Sequence, residues 1–287
     1  MRILPCSLAL LALAACASNR ASGDGEREHV DAMAREHAEH TPVANASSLE
    51  PRVPVVTQEV PYMVDGEMVR GYEARPAGTG PAQKLPSLIV IHEWWGLNDN
   101  VKMMTRRLAG EGYRALAVDM YHGRATADPQ QARALMMEVM QDGDRGAMHI
   151  ATAELYLRDQ TDADRIGIIG WCFGGGWALQ GALELPERID AAVMYYGMVT
   201  ADRARLARLR GPLLGIFAED DQAIPVDSVR AMEAALRELG KPATIRVYED
   251  AQHGFANPSG QAYLPEPAAD AWNRTVAFFA QHLKGGR

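Results

Sequence analysis

The stretch over residues 165–178 constrains the fold of this chain most. It reads R-I-G-I-I-G-W-C-F-G-G-G-W-A, which is a short apolar, β-branched run, then a turn, then the start of a helix-compatible segment over 177–184. Gly170 and Gly174 flank Cys172 in a G-x-C-x-G frame, and they remove side chains where a sharp turn would crowd the strand against the helix. The pattern predicts a nucleophile elbow that carries a thiol in place of the usual serine hydroxyl.

Cys172 is predicted to be a nucleophile. An elbow presents its central side chain at the start of a helix, where free N–H groups and the helix dipole favour a thiolate. The alternative is a small buried hydrophobic residue, the usual role of a lone cysteine. We favour the chemical role because the glycines and the preceding strand supply the context that the motif requires.

Strands and helices alternate on both sides of the elbow. The Asp65-Gly66 dipeptide predicts a β-hairpin over 53–75. Further strands are predicted over 85–91, 115–120, 166–169, 191–196, 213–218 and 243–248, and helices over 100–111, 129–141, 145–158, 177–184, 226–239 and 268–283. This order predicts an α/β-hydrolase fold, a mainly parallel, doubly wound sheet with helices on both faces and its chemistry at the carboxyl ends of the strands.

The composition of the chain limits its domain content and the kinds of molecule that it can bind. The 287 residues are 47% hydrophobic and 23% charged, which suffices for one large core and an appendage. The formal net charge is -8, so the chain offers no basic footprint for nucleic acid, and no nucleic-acid partner is expected.

The N-terminus predicts export. Arg2 is followed by a short apolar run over 4–15, which has the order of a signal peptide and is too short to cross a bilayer as a helix. One interpretation is an ordinary signal peptide that is cut after Ala15 or Ala17. The other, which we favour, rests on the sequence L-A-A-C over 13–16.

That tetrapeptide resembles the lipobox of bacterial lipoproteins. The resemblance implies a signal peptide over 1–16 and lipid attachment to Cys16. Because Ala17 is not an inner-membrane retention signal in that family, it also implies a periplasmic protein anchored to the outer membrane. If Cys6 leaves with the signal and Cys16 is acylated, Cys172 is the one free thiol of the mature chain, without a disulfide partner in an oxidising compartment.

Residues 17–51 are predicted to be a polar tether, followed by the catalytic domain over 52–287. The tether is rich in small residues and shows no hydrophobic periodicity. His29, His37 and His40 lie there among acidic residues, which permits a metal site. We favour a solvated segment that forms at most a loose helix, because the rest of the sequence shows no matching group of histidines and carboxylates that would complete a metal site.

A thiolate nucleophile requires an acid–base partner. On this fold the chain order is nucleophile, acid, histidine, each beyond the end of a later strand. E-D-D-Q-A-I-P over 219–225 offers Asp220 and Asp221, of which Asp221 is preferred, although the residues alone leave both open. His253 follows the next strand and is the predicted base.

The sequence H-E-W-W-G over 92–96 follows the strand predicted over 85–91. At this place the fold supplies the second oxyanion-hole donor, so the backbone N–H groups of Trp94 and Phe173 are predicted to form the hole. Glu93 is predicted to lie near Cys172 and to receive its proton. Alternatively, Glu93 caps the following helix or pairs with Arg124.

Together these motifs resemble the dienelactone hydrolase family, bacterial carboxymethylenebutenolidases with a Cys-His-Asp triad. The matching motifs are H-E-W-W-G-L-N, D-M-Y-H-G-R, G-W-C-F-G-G-G, E-D-D-Q-A-I-P and D-A-Q-H-G-F-A, and the resemblance runs from about residue 53 to the C-terminus. It implies that Cys172 is the nucleophile, Asp221 the triad acid and His253 the triad base. It also implies that Glu93 takes the thiol proton when substrate binds.

The resemblance further implies a substrate-binding arginine. Arg124 matches, with one extra residue in its loop, an arginine that contacts both the substrate carboxylate and the glutamate. A second carboxylate-binding arginine of the family corresponds here to Asn257, so the chain departs from the family in the groups that bind a carboxylate.

The expected function is hydrolysis of a small-molecule ester or lactone through a thioester acyl-enzyme, without a metal ion or organic cofactor. One alternative is a different acyl group, such as a thioester, a peptide or an ester of the cell envelope. Another is a lipid-anchored, non-catalytic binding protein on the same fold. A redox-sensing thiol is disfavoured because the chain lacks a resolving cysteine.

Overall fold

The structure is a computed structural model that describes residues 23–36, 42 and 49–285. The predicted signal peptide, Cys16, His37 and His40 lie outside the described residues. Over those same residues, no helix combines the length and the apolar character that are needed to cross a bilayer.

Across the described ranges, eight strands form one sheet. They are β1 (Val55–Val64), β2 (Glu67–Pro76), β3 (Ser87–Ile91), β4 (Arg114–Val118), β5 (Ile166–Trp171), β6 (Ala191–Tyr195), β7 (Leu213–Ala218) and β8 (Ala243–Tyr248). Their order is β1-β2-β4-β3-β5-β6-β7-β8, in which β1 and β2 run antiparallel and β3 to β8 pair in parallel. The mainly parallel sheet predicted from the sequence is confirmed.

The helices lie between the strands in sequence. They are α1 (Gly23–Glu36), α2 (Asp99–Gly110), α3 (Pro129–Gln141), α4 (Gly143–Thr161), α5 (Phe173–Glu184), α6 (Arg203–Leu206), α7 (Val226–Glu238) and α8 (Pro265–Phe279), and α8 continues into a π-helical turn, Ala280–Lys284. The predicted elements over 129–141, 213–218 and 243–248 coincide with α3, β7 and β8.

Helices cover both faces of the sheet, as two neighbouring residues of β5 show. A Cβ on Gly167 would lie 2.9 Å from Phe279 of α8, whereas Gly181 of α5 faces the side chain of Ile168. Since successive strand residues point to opposite faces, α8 and α5 lie on opposite sides. The central strands β3, β5, β6 and β7 are buried throughout, as is usual for parallel strands covered on both faces.

The hairpin and the helix starts follow from local chemistry. Asp65 and Gly66 both have positive φ, 48° and 79°, which a two-residue hairpin turn with the favoured twist requires. At the start of α3, the Asp128 side chain accepts hydrogen bonds from the backbone N–H groups of Gln130 and Gln131. Pro129 occupies the first helical position, where its missing N–H costs nothing, so the boundary was predictable.

The helix α1 differs from expectation. It packs against α3, with Val30 and Met33 fully buried and Asp31 ion-paired with Arg133. The expectation that the polar segment is solvated is therefore wrong for α1. The reason is that two apolar residues three positions apart suffice to seat one helical face on a neighbour, yet they are too few to produce a recognisable periodicity.

Candidate active site

Cys172 lies at the junction of β5 and α5 in a strained backbone conformation, with φ 57° and ψ -122°. Its neighbours are close enough to require glycine: a Cβ on Gly170 would lie 2.0 Å from the Gly174 carbonyl oxygen, and a Cβ on Gly174 would lie 2.4 Å from that of Ile91. The predicted elbow geometry is confirmed. Positive φ at a buried, non-glycine residue is typical of functional sites, where surrounding packing holds the strain.

The first turn of α5 is pressed equally closely onto the end of β6. A Cβ on Gly175 would lie 2.4 Å from the Tyr195 carbonyl oxygen, and a Cβ on Gly197 would lie 2.1 Å from the Gly176 nitrogen. The backbone at Cys172 is also tied to β6, because its N–H donates to the Tyr195 carbonyl oxygen at 3.0 Å. The position of the thiol is thus fixed by backbone contacts on two sides.

His253 and Asp221 form a buried pair beyond the ends of β8 and β7. The distance from His253 Nδ1 to Asp221 Oδ2 is 2.8 Å. Asp221 Oδ1 accepts from the backbone N–H groups of Ala223 at 2.8 Å and Ile224 at 2.7 Å, which fixes the carboxylate. Asp220 is exposed. The structure therefore pairs Asp221, and not Asp220, with His253, and the role of Asp221 as triad acid stays a prediction.

The electrostatics of His253 suit acid–base chemistry with a thiol. Burial by itself lowers the pKa of the imidazole, but the Asp221 carboxylate and the Cys172 sulfur both raise it, so that it lies well above 6.5. Hydrogen bonds to Asp221 and Cys172 act in the same direction. The structure thus brings the three predicted triad residues together, and their joint catalytic role stays a prediction.

Glu93 is buried beside Cys172 and His253, with 4% of its surface exposed. Burial raises its pKa to about 7, against the opposing effects of His253 and of a hydrogen bond from Asn100. Asn100 Nδ2 donates to Glu93 Oε2 at 3.4 Å, and Asn257 Nδ2 donates to the same oxygen at 2.6 Å. A carboxyl group that changes protonation near neutral pH is suited to exchange a proton with a nearby group.

The role of Asn257 was not recognised in the sequence. Its side-chain oxygen accepts hydrogen bonds from the Ser259 backbone N–H at 2.8 Å and from the Ser259 hydroxyl at 2.7 Å. These bonds orient the amide so that Nδ2 faces Glu93. An asparagine two residues before a serine, just after the His253 motif, was the available signal.

His92 was also missed, and it has a structural role. The Met120 backbone N–H donates to His92 Nε2 at 3.1 Å, so the proton of the neutral ring lies on Nδ1, which donates to the Glu93 carbonyl oxygen at 2.6 Å. Burial lowers the pKa of His92. The neutral imidazole thus joins the loop after β3 to the loop after β4 and fixes the backbone at Glu93.

The predicted oxyanion-hole residues follow the ends of neighbouring strands. Phe173 is the first residue of α5, so its N–H is one of those that a helix leaves without an intrahelical acceptor. Trp94 lies in a turn closed by a hydrogen bond from the Gly96 N–H to the Glu93 carbonyl oxygen at 3.1 Å. Their joint role as oxyanion donors stays a prediction.

Arg124 is not brought to this site. Its side chain is 48% exposed, and Nη1 and Nη2 each donate to a carboxylate oxygen of Glu138 at 2.8 Å. Its Nε donates to the Tyr121 carbonyl oxygen at 2.8 Å. The expected contact between Arg124 and Glu93 is therefore wrong, because the carboxylate of Glu138 on α3 neutralises the guanidinium outside the pocket.

The pocket above Cys172 has about 420 Å³ of space, part of it open to solvent. It is lined by Pro42, Glu93, Trp94, Trp95, Cys172, His253, Gly254, Asn257, Ser259, Gly260, Gln261 and Ala262. Among the described residues that line the pocket there is no arginine or lysine, and His253 is the one group there that can carry a positive charge. The pocket therefore offers little to attract a negatively charged substrate.

One group of side chains could in principle hold a metal ion. Within the described part of the chain, Glu36, Asp221 and His253 each place a ligand atom within 4.8 Å of the others. The Asp221 carboxylate, however, already binds two backbone N–H groups and His253. A metal ion would have to displace these bonds, so the geometry fits a triad better than a metal centre.

Comparison with known proteins gives a consistent result. The sequence profile of the dienelactone hydrolase family matches residues 69–283. A protein of Aquifex pyrophilus described as "Protein usf" is 34% identical over 233 residues, which cover 79% of this chain and 99% of the relative. A relative in Aquifex aeolicus, described as "Putative carboxymethylenebutenolidase", is 33% identical over 236 residues, with the same coverage of both chains.

A solved structure agrees. The crystal structure from Klebsiella pneumoniae described as "Putative Dienelactone Hydrolase" superposes with a TM-score of 0.71 at 30% identity, covering 79% of this chain and 99% of that one. The residues matched by the family profile, 69–283, contain every element from β3 to α8, and with them the elbow and the loops that carry Asp221 and His253.

Proposed function

This chain belongs to the dienelactone hydrolase family and is a hydrolase of the ester and lactone type, and from that premise we propose that it cleaves small uncharged esters or lactones through a Cys172–His253–Asp221 triad and a thioester acyl-enzyme. The observation that supports this best is the buried chain of contacts from Asp221 through His253 to Cys172 at the elbow. The three residues follow the chain order that this fold uses.

In the proposed mechanism the Cys172 thiolate attacks the carbonyl carbon of the ester. The carbonyl oxygen becomes an oxyanion, for which the N–H groups of Phe173 and Trp94 are the proposed donors. Collapse of this intermediate breaks the bond to the alkoxide leaving group, which takes a proton from the His253 imidazolium. The neutral imidazole then removes a proton from water, whose oxygen attacks the thioester and releases the acid and the Cys172 thiolate.

Asp221 holds His253 in the tautomer and orientation that these proton transfers need. Its own two backbone hydrogen bonds keep the carboxylate in place while the charge on the imidazole changes. Glu93, with a pKa of about 7, is the proposed acceptor of the thiol proton when substrate enters. Both carboxylates are buried, so each contributes without competition from bulk water.

The preference for an uncharged substrate rests on the charges of the pocket. Glu93 lines it, whereas Arg124 binds Glu138 outside it and Asn257 occupies the place of a second arginine. A substrate carboxylate would therefore be desolvated beside a carboxyl group without a guanidinium partner, which is unfavourable. A neutral ester avoids this cost.

The test is a comparison of the wild type with Cys172→Ala on a panel of p-nitrophenyl esters. We expect wild-type turnover of p-nitrophenyl acetate and butyrate, and at least a tenfold lower kcat/KM for a p-nitrophenyl hemiester whose acyl chain ends in a carboxylate. Cys172→Ala should lose turnover of all of them while keeping its Tm. Unchanged turnover in that variant refutes the triad, and a preference for the hemiester refutes the substrate class.

We also propose that the chain is exported and anchored by lipid at Cys16, on the strength of the lipobox-like sequence alone. The test is metabolic labelling with a radioactive fatty acid in a bacterial host, followed by membrane fractionation. Label in the wild type and its loss in Cys16→Ala support the anchor. Equal recovery of both chains in the unlabelled periplasmic fraction contradicts it.

A further inference from the structure

The helix α1, which lies outside the residues matched by the family profile, reaches the catalytic site at its C-terminal end. The Glu36 carboxylate, the Asp221 carboxylate and the His253 ring each have an atom within 4.8 Å of the other two. Within the described part of the chain, the buried Glu36 Oε2 has no hydrogen-bond partner. A carboxylate from outside the family's domain thus approaches the acid–base pair.

The position of Glu36 is held by contacts along the whole helix. Val30 and Met33 are buried against the domain, and Asp31 pairs with Arg133 of α3. The His29 ring hydrogen-bonds to the backbone of Ala223, in the same loop as Asp221. Pro42, a few residues further along the chain, lines the pocket above Cys172. The approach of Glu36 is therefore part of a packed arrangement, since three independent contacts place the helix.

We propose that Glu36 is a positioning residue of this site, which acts through His253 by stabilising its protonated form, and that α1 is an integral wall of the catalytic centre. The proposal deepens the proposed function, because it rests on His253 being the triad base. Its role is electrostatic: a second carboxylate beside the imidazolium adds to the effect of Asp221 and keeps the proton that the leaving group will take.

Among the described residues, the charged and titratable neighbours of His253 together set the pKa of its imidazole. From the elements packed around it these are Asp221, Cys172, Glu93, Tyr196, His29 and Glu36. Burial raises the pKa of Glu36 and the charge of His253 lowers it, while the Asp221 carboxylate raises it and backbone hydrogen bonds from Ala223 and His253 lower it. Because the interaction between two charges is mutual, ionised Glu36 must raise the pKa of His253 in return. Glu36→Gln removes the negative charge but keeps the shape of the side chain. Any change in the pKa of His253 in this variant therefore reports the charge of Glu36 and not its packing.

The experiment is an NMR titration of the His253 imidazole in full-length protein that carries Cys172→Ala, which removes the sulfur from the balance. Glu36→Gln should lower the midpoint of His253 by about one pH unit. Glu28→Gln, which removes an exposed charge on the same helix, should leave it unchanged. Glu36→Asp should restore part of the shift, because the charge returns.

A fourth variant tests whether the packing of α1 is what brings the Glu36 charge to His253. Met33→Ser loosens the seat of α1 but keeps the Glu36 carboxylate, and it should lower the His253 midpoint in the same direction. A midpoint that is the same within 0.2 units in the Glu36→Gln and parent proteins overturns the proposal, and so does an equal shift in the Glu28→Gln control. The titration needs no substrate, so it decides the role of Glu36 even where the ester panel refutes the proposed hydrolysis.

Discussion

Asn257 donates a hydrogen bond from Nδ2 to Glu93 Oε2 over 2.6 Å, and this contact joins the loop after His253 to the loop after β3. At this position the resemblance to the family implied an arginine, whose charge would favour ionised Glu93 and lower its pKa. A neutral amide orients the carboxyl group without adding charge. The substitution is therefore consistent with a Glu93 pKa of about 7, close to the pH at which a thiol proton must be accepted.

Asn257→Ala should raise the pKa of Glu93 further, because the charged form of the carboxyl group loses a hydrogen-bond donor. The acidic limb of the pH profile for acylation should then move to higher pH by about one unit. Single-turnover kinetics with a p-nitrophenyl ester measure this. Ser259→Ala is the matched control, since the Ser259 backbone N–H still holds the amide, and it should shift the limb less.

Glu93→Gln should change how stability depends on pH. The carboxyl pKa is about 7 in the folded protein against an ordinary value of 4.5. A raised pKa means that the folded state binds the proton more tightly, so this contribution to stability is present below pH 4.5 and is lost as pH rises through 7. The loss amounts to about 3 kcal/mol.

The Glu93→Gln side chain cannot ionise, so this variant does not lose that part of its free energy of unfolding as pH rises. Its stability relative to the wild type should therefore improve between pH 5 and pH 8, as measured by urea unfolding at each pH. Glu249→Gln, at an exposed position, is the control and should show no such trend. If the wild type and Glu93→Gln lose stability in parallel over this range, the pKa of Glu93 is not raised by folding, and the carboxylate is too weak a base near neutral pH for the proposed proton transfer.

Asp221→Asn should disable proton transfer while the elbow stays intact. The pKa of His253 should fall, because burial then acts without the opposing carboxylate, and the favoured tautomer is lost. We expect kcat to fall by about 10³- to 10⁴-fold. Asp220→Asn removes the adjacent exposed carboxylate and should retain activity within about twofold. Equal losses of kcat in the two variants would mean that activity depends on the total negative charge of the loop and not on the Asp221–His253 pair.

Gly197→Ala should destabilise the fold severely. Its Cβ would lie 2.1 Å from the Gly176 nitrogen and 2.3 Å from the Gly175 carbonyl carbon, so backbone must move on both sides of the contact. We expect a loss of about 3 kcal/mol or more in the free energy of unfolding. Gly143→Ala, where a Cβ meets nothing within 4 Å, should be neutral or slightly stabilising, as thermal unfolding of the two variants will show.

The sequence was informative wherever local chemistry and fold agree. Continuous apolar runs marked the buried strands, and Asp65-Gly66 marked the hairpin because few other pairs tolerate two positive φ angles. The glycines around Cys172 marked the elbow because backbone contacts there exclude any Cβ. His253 could be singled out as the candidate base because chain order on this fold leaves one histidine after the correct strand.

Other features depend on contacts between distant segments and could not be found in this way. The docking of α1 requires a receptive face on α3, which no local pattern in 23–36 reveals. Arg124 stands in the expected motif, but Glu138, fourteen residues further along the chain, holds its guanidinium elsewhere. For Asn257, the side chain has a role only in relation to Glu93, which precedes it by 164 residues.

The elbow also decides where this enzyme can adapt. Because backbone packs on backbone around Cys172, a side chain at either neighbouring glycine would force the backbone of the elbow to move. The loop with Gly260, Gln261 and Ala262, and the segment with Pro42, border the same pocket without that restriction. Directed evolution toward a new ester should therefore randomise this loop and this segment and leave Cys172 and its neighbouring glycines unchanged.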